Sequence, residues 1–166
     1  MMRRSTVLGF IATFFMIACA PSRAPAEEGP VQITLQRTVC YGYCPDYTVS
    51  IDGDGVVTYE GRAFVNLVGR QTAQIPSADV ARLLQRFDDI GFENLNDEYR
   101  GLMTDMPSTI VTLTRDGRTK RVVDYAGTSV GMPREVRELQ AEIDRVAGTA
   151  RWVLRDGQPV QTPPEY

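Results

Sequence analysis

The strongest constraint on the fold is a recurring unit: two segments of alternating apolar residues joined by an Asp-Gly turn. Tyr47, Val49 and Ile51 alternate with polar neighbours up to Asp52-Gly53-Asp54-Gly55, and Val56-Val57-Thr58-Tyr59-Glu60 follows. The unit returns at residues 109–115 and 119–124, around Asp116-Gly117. A period of two puts alternate side chains on one face, and glycine beside aspartate supplies the positive φ that a hairpin turn requires. Residues 31–37 (VQITLQR) alternate in the same way and predict a further strand. Residues 63–75 add one more, with Phe64, Val65, Leu67 and Val68 apolar until Gly69 breaks the run.

Two other segments carry the helical period. Pro76-Ser77 opens the first, with Ser77 as N-cap and Asp79 at the positive helix end. Val80, Leu83, Leu84, Phe87 and Ile90 form its apolar stripe, which Gly91 ends. Pro133 suits a first helical position, and Val136, Leu139, Ile143 and Val146 make a second stripe ending at Gly148. Strands arrive as adjacent hairpins rather than as strand-helix-strand crossovers, and each helix must bury its stripe. The expected fold is α+β with two layers: a mainly antiparallel sheet of about five or six strands, with two helices on one face. Trp152 and its neighbours return as a short segment, and the prolines at 159, 163 and 164 predict a disordered tail over residues 154–166.

The first eighteen residues have a different character. Arg3 and Arg4 precede an uncharged apolar run from Val7 to Ala18. That run is too short for a bilayer core, which needs roughly 20 residues, and suits a signal-peptide h-region. It ends in Met16-Ile17-Ala18-Cys19, which resembles a lipobox with Met16 at the usual leucine position. The resemblance implies cleavage before Cys19 and attachment of acyl chains such as palmitate there; Ala20 in the next position implies sorting to the outer membrane. An ordinary secreted protein cleaved after Ala18 or Ala20 is the alternative. Residues 19–30 then read as the lipidated cysteine and a proline-rich flexible tether, and residues 31–153 as one domain.

Composition narrows function mainly by exclusion. The chain holds 18 basic and 21 acidic residues, and loss of Arg3 and Arg4 moves the net charge of −3 to about −5. With no basic block, nucleic acid is not an expected partner. The sequence contains no histidine, which removes Ser-His and Cys-His catalysis, imidazole bases and histidine-held metals. The reading leans away from an enzyme, and no cofactor or metal is expected.

Cys40-Tyr41-Gly42-Tyr43-Cys44-Pro45 is the one local constellation with chemical potential. With Cys19 given to lipid, two thiols remain in an oxidising compartment, which favours a structural disulfide. Four extended residues would separate the Cα atoms by about 13 Å against the roughly 5 to 6 Å a disulfide needs, so the chain must fold back, and Gly42 permits it. The other reading is a working thiol pair. C-x-x-x-C-P resembles the copper signature of Sco-type assembly factors, but those use a distant histidine and a thioredoxin-like fold, and this chain shows neither. Copper(I) held by the two thiolates alone stays within that second reading.

Asp105, Asp124 and Tyr125 flank the second hairpin and offer two carboxylates with a phenol; the alternative is an Asp-initiated turn before a strand. Asp52-Gly53-Asp54-Gly55 reads as a hairpin turn rather than a calcium loop, since the closing glutamate of an EF-hand is missing. Tyr41 and Tyr43 are placed either at a partner surface or against the sheet.

The cysteine loop, Tyr47, the Gly53-to-Tyr59 hairpin, Tyr99, residues 105–109, Asp124-Tyr125 and residues 148–152 together resemble an uncharacterised bacterial domain of unknown function, often found on lipoproteins. The resemblance covers residues 31–153 and implies a single domain without implying an activity. The expected molecule is an envelope lipoprotein, anchored in the outer membrane and facing the periplasm. It would bind an envelope protein or cell-wall component through its sheet face or its cysteine loop, with Tyr41, Tyr43, Asp105, Asp124 and Tyr125 as the candidate surface. Thiol-dependent redox or metal handling by Cys40 and Cys44 is the alternative.

Overall fold

The computed structural model describes residues 30–162. Cys19, the apolar run before it and nearly all of the expected tether lie outside the described residues, as do residues 163–166. The described chain forms β1 (Gln32–Arg37), β2 (Asp46–Asp52), β3 (Val56–Ala63), β4 (Gly69–Gln74), α1 (Ser77–Asp89), β5 (Glu98–Arg100), β6 (Thr109–Arg115), β7 (Arg118–Tyr125), α2 (Arg134–Ala147) and α3 (Ala150–Val153). All seven strands join one sheet in the order β4-β3-β2-β1-β6-β7-β5. Every pairing is antiparallel except that of β5 with β7, which is parallel and makes the sheet mixed.

The α+β expectation holds, with seven strands in place of five or six and three helices in place of two. β5 escapes a period-two search because it has three residues and one inward side chain, Tyr99. The run that Gly69 was expected to end is a loop, and Gly69 instead begins β4. In that loop the amides of Asn66 and Leu67 donate to the carbonyls of Val153 and Trp152 at 3.1 and 2.8 Å, which ties the sheet edge to α3. Ser77 is the first residue of α1 rather than its cap; Pro76 takes the cap position, and no side chain caps the helix. Pro133 likewise sits one residue before α2. The second hairpin turns as expected, with Asp116 at φ 53° and Gly117 at φ 71°, the pair of left-handed residues that matches the twist of the flanking strands.

Alternation becomes burial directly. Ile33, Leu35, Val49, Ile51, Val57, Tyr59, Val111 and Leu113 lie on one sheet face, each 2% exposed or less. They pack with Val80, Leu83 and Phe87 of α1 and Val136, Leu139 and Ile143 of α2 in a single core cluster. Burial of each such side chain contributes roughly 1.5 to 3 kcal/mol. Tyr47, Tyr59 and Trp152 extend the core as an aromatic column with ring centroids 5.6 and 5.0 Å apart. Through strand pairing, the opposite face aligns Thr72, Thr58, Ser50, Thr34 and Thr112 in one row across five strands.

The sheet has two distinct ends. Residue 30 enters at the start of β1, and the Cys40–Cys44 loop lies past its other end, about 20 Å away for six residues. Beyond Val153 the chain makes a turn bridged between Arg155 and Gln158, and Val160 is buried.

Candidate functional site

Three strands place a polar residue where their pattern calls for an apolar one, all at the loop end of the sheet. In β1 the inward positions run Ile33, Leu35, Arg37; in β6 they run Leu113, Val111, Thr109; in β7 Val122 is followed by Asp124. Register lines these up with their neighbours: Tyr47 opposite Arg37, Arg37 opposite Thr109, Thr109 opposite Asp124, and Asp124 opposite Tyr99. From above, α2 contributes Arg137, Gln140 and Asp144, whose spacings of three and four place them on one helix face. The result is a polar layer between sheet and helix, next to the apolar core.

One half of the layer centres on Asp144. Its carboxylate accepts from Arg37 Nη2 at 2.7 Å and Nε at 3.0 Å, from the Tyr47 hydroxyl at 2.6 Å and from the Thr149 hydroxyl at 2.8 Å. Arg37 also donates to Thr109 Oγ1 at 3.2 Å. Burial is the largest single influence on Arg37 and pulls its pKa down, but Asp144 and Tyr47, through charge and hydrogen bonds together, outweigh it and the net shift is upward. Burial pushes the Tyr47 phenol up, and Asp144 adds to that against the opposing pull of Arg37. Tyr59 is raised too, chiefly by burial.

A pH dependence follows with a definite sign. In the unfolded chain these phenols ionise near their ordinary value of about 10, while in the fold they stay protonated to higher pH. Their contribution is complete below about pH 10 and is lost as the pH climbs toward the raised folded values. The urea midpoint is therefore expected to fall steeply above pH 10, and to fall less in Tyr47→Phe; an equal fall in the variant would count against this assignment.

The other half centres on Asp124, which is 5% exposed. Its Oδ1 accepts from the Gly127 amide at 2.8 Å, and its Oδ2 from Gln140 Nε2 at 3.2 Å and Arg137 Nε at 3.3 Å. A Cβ at position 127 would lie 2.8 Å from Tyr99 Cβ and 2.9 Å from Asp124 Oδ1, so only glycine lets that amide reach the carboxylate. Beside Asp124 opens a cleft of about 300 Å³. Arg37, Thr109 and Asp124 form its floor, Arg137 and Gln140 one wall, and Met106-Pro107 another.

The cysteine loop supports that last wall. Cys40 and Cys44 are disulfide-bonded with Cα atoms 5.6 Å apart, and the Gly42 amide donates to the Cys40 carbonyl at 2.9 Å as the chain folds back. From the bridged loop the Tyr41 amide donates to the Asp105 carbonyl at 3.1 Å, and Thr38 and Ser108 exchange hydrogen bonds next to it. The Met106 amide donates to the Tyr125 hydroxyl at 3.3 Å.

Of the residues singled out from sequence, Asp124 lies in the cleft floor, while Asp105 and Tyr125 hold its wall from outside. Asp105 does so through its backbone carbonyl, at φ 64°, rather than through its carboxylate. Tyr125 carries the Arg100 guanidinium 4.8 Å above its ring. Tyr41 is 91% exposed and borders the same wall. Tyr43 is turned away to meet Phe64 edge-on, with centroids 5.8 Å apart. Arg37, Arg137, Gln140 and Asp144 were not singled out, and Tyr47 and Thr109 only as part of the family pattern, although the break in inward phase at 37, 109 and 124 was visible in each strand.

Residues 31–147 match a protein family described as Domain of unknown function (DUF6438). A search of curated proteins found no match.

Proposed function

The chain belongs to the DUF6438 family, and from that premise we propose that it is an envelope lipoprotein, anchored through Cys19 in the outer membrane and facing the periplasm, that serves as a non-enzymatic binding module. The observation that carries the reading is the distribution of side chains at the loop end of the sheet. Val39, Tyr41, Leu102, Met103 and Met106 are all at least 41% exposed there, bordering a polar cleft at the far end of β1 from residue 30. Exposed apolar side chains around a polar depression suit a contact surface. Asp124 in the cleft and Asp144 in the adjoining half of the polar layer are each already engaged by several donors, an arrangement suited to holding a ligand rather than to moving protons. The partner class is an envelope protein or a cell-wall component, met by Tyr41, Tyr125 and the Asp105 loop, with Tyr43 turned aside toward Phe64. Among the described residues no helix is long and apolar enough to cross a membrane.

Two measurements test this. Cells fed labelled palmitate are expected to yield labelled protein that sediments with membranes, and Cys19→Ser is expected to lose both label and sedimentation. Retention of the variant on membranes would remove the anchor claim. Thiol titration of the purified protein decides the role of the disulfide. A pair that resists mild reductant, and a Cys40→Ser variant about 2 kcal/mol less stable, fit a brace for the Met106-Pro107 wall. A pair reduced by mild thiol, or copper that co-purifies and is lost in Cys40→Ser, would move the reading to thiol-dependent redox or metal handling.

A further inference from the structure

We propose that the Asp124 cleft is a carboxylate-binding site, and that it takes the free C-terminus of a short peptide ending in a small apolar residue. The inference rests on the binding-module reading and adds the chemistry of the ligand to it. The hydrogen bonds of the cleft decide which groups remain for a ligand. Arg37 is engaged at each of its three nitrogens: Nε with Tyr47 and Asp144, Nη1 with Thr109 and Nη2 with Asp144. Asp124 accepts three hydrogen bonds. Arg137 is different. Its Nε donates to Asp124 Oδ2, and among the described residues its two terminal amino groups have no partner, with the side chain 49% exposed. The bond at Nε fixes the plane of the guanidinium and leaves the terminal pair, which is the fork that a carboxylate engages with two parallel hydrogen bonds.

Charge selects among anions. Asp124 and Asp144 stand behind the two arginines, so the local formal charge of these four groups cancels. One added negative charge can be held by the fork, whereas a phosphate dianion would bring a second charge toward buried Asp124 and partly buried Asp144 with no further cation to meet it. Size and polarity select within carboxylates. The 300 Å³ of the cleft sits at the lower limit of small-molecule pockets. Met106 and Pro107 present an apolar wall beside the arginine, and Thr109 and Gln140 bring amide and hydroxyl groups of the kind that meet a peptide backbone. A carboxylate next to a small side chain on a peptide bond satisfies all three.

The test uses the full chain in detergent and acetyl-alanyl-alanine as probe, followed by calorimetry or by chemical shifts of the cleft residues. The free acid is expected to bind. Its C-terminal amide and inorganic phosphate are expected to bind at least tenfold more weakly. Arg137→Gln is expected to lose about tenfold or more, the scale of a charged hydrogen-bonded pair. Arg134→Gln, on the same helix but paired with Glu138, is expected to bind as the parent does. If Arg137→Gln melts below the parent, Arg137→Lys serves instead; it keeps the positive charge beside Asp124, removes the fork, and is expected to bind several-fold more weakly at an unchanged melting temperature. Equal binding of acid and amide, tighter binding of phosphate, no binding of the acid, or full binding by both Arg137 variants would each overturn the proposal. Palmitate labelling reads the anchor separately, so failure of either result leaves the other interpretable.

Discussion

Trp152→Ala is expected to cost about 4 kcal/mol of stability, the range of a buried aromatic truncated to alanine, and to lower the melting temperature by about 15 °C for a domain of this size. Trp152 is 6% exposed and packs on Tyr59, which packs in turn on Tyr47, so the substitution removes one end of the aromatic column and leaves Tyr59 facing a void. Its own carbonyl receives the Leu67 amide, and that of Val153 the Asn66 amide, and through these bonds α3 holds the loop between β3 and β4. These contacts lie beyond residue 147, where the family match ends. Recombinant protein stopped at Ala147 is therefore expected to unfold cooperatively at a far lower urea concentration than the full chain, or not to fold. A truncated form with the parental urea midpoint would show that α3 is an ornament on the domain.

Asp144→Ala is expected to cost about 3 kcal/mol, because removal of one partner leaves the positive charge of Arg37 and the Tyr47 hydroxyl without the acceptor they share. Neither side chain of the pair is more than 28% exposed, so solvent only partly screens the loss. Asp79→Ala breaks a pair in which Arg82 is 71% exposed and is expected to cost well under 1 kcal/mol. Chemical denaturation of both variants beside the parent measures the difference. Equal effects of the two would mean that the polar layer is a solvated surface rather than part of the core.

Most of the sheet was legible because burial follows alternation: Ile33, Val49, Val57 and Val111 each sit where a period of two puts them. The helices were legible for the same reason with a different period. β5 was not, since three residues carry too little pattern and its place depends on a parallel pairing with β7, far along the chain. The site was legible in part. Asp124 stood out as a carboxylate beside a tyrosine, and the cysteine loop stood out by composition. Arg37 and Asp144 are 107 residues apart in sequence, and their meeting is set by α2 crossing the end of β1. A helix stripe shows which side faces inward; it does not say which row of the sheet it will cover.

The position of β1 has a mechanical consequence. It lies in the middle of the sheet, with six register pairs to β2 on one side and six to β6 on the other. The chain from residues 1–29 enters at one end of this strand, and the cysteine loop leaves from the other. Tension between residue 30 and anything gripping the loop end would run along β1, at right angles to the hydrogen bonds of both ladders. Such a load shears the ladders together instead of unzipping them one bond at a time. The domain is thereby built to transmit a pull from its amino terminus to its far end without first giving way in the middle.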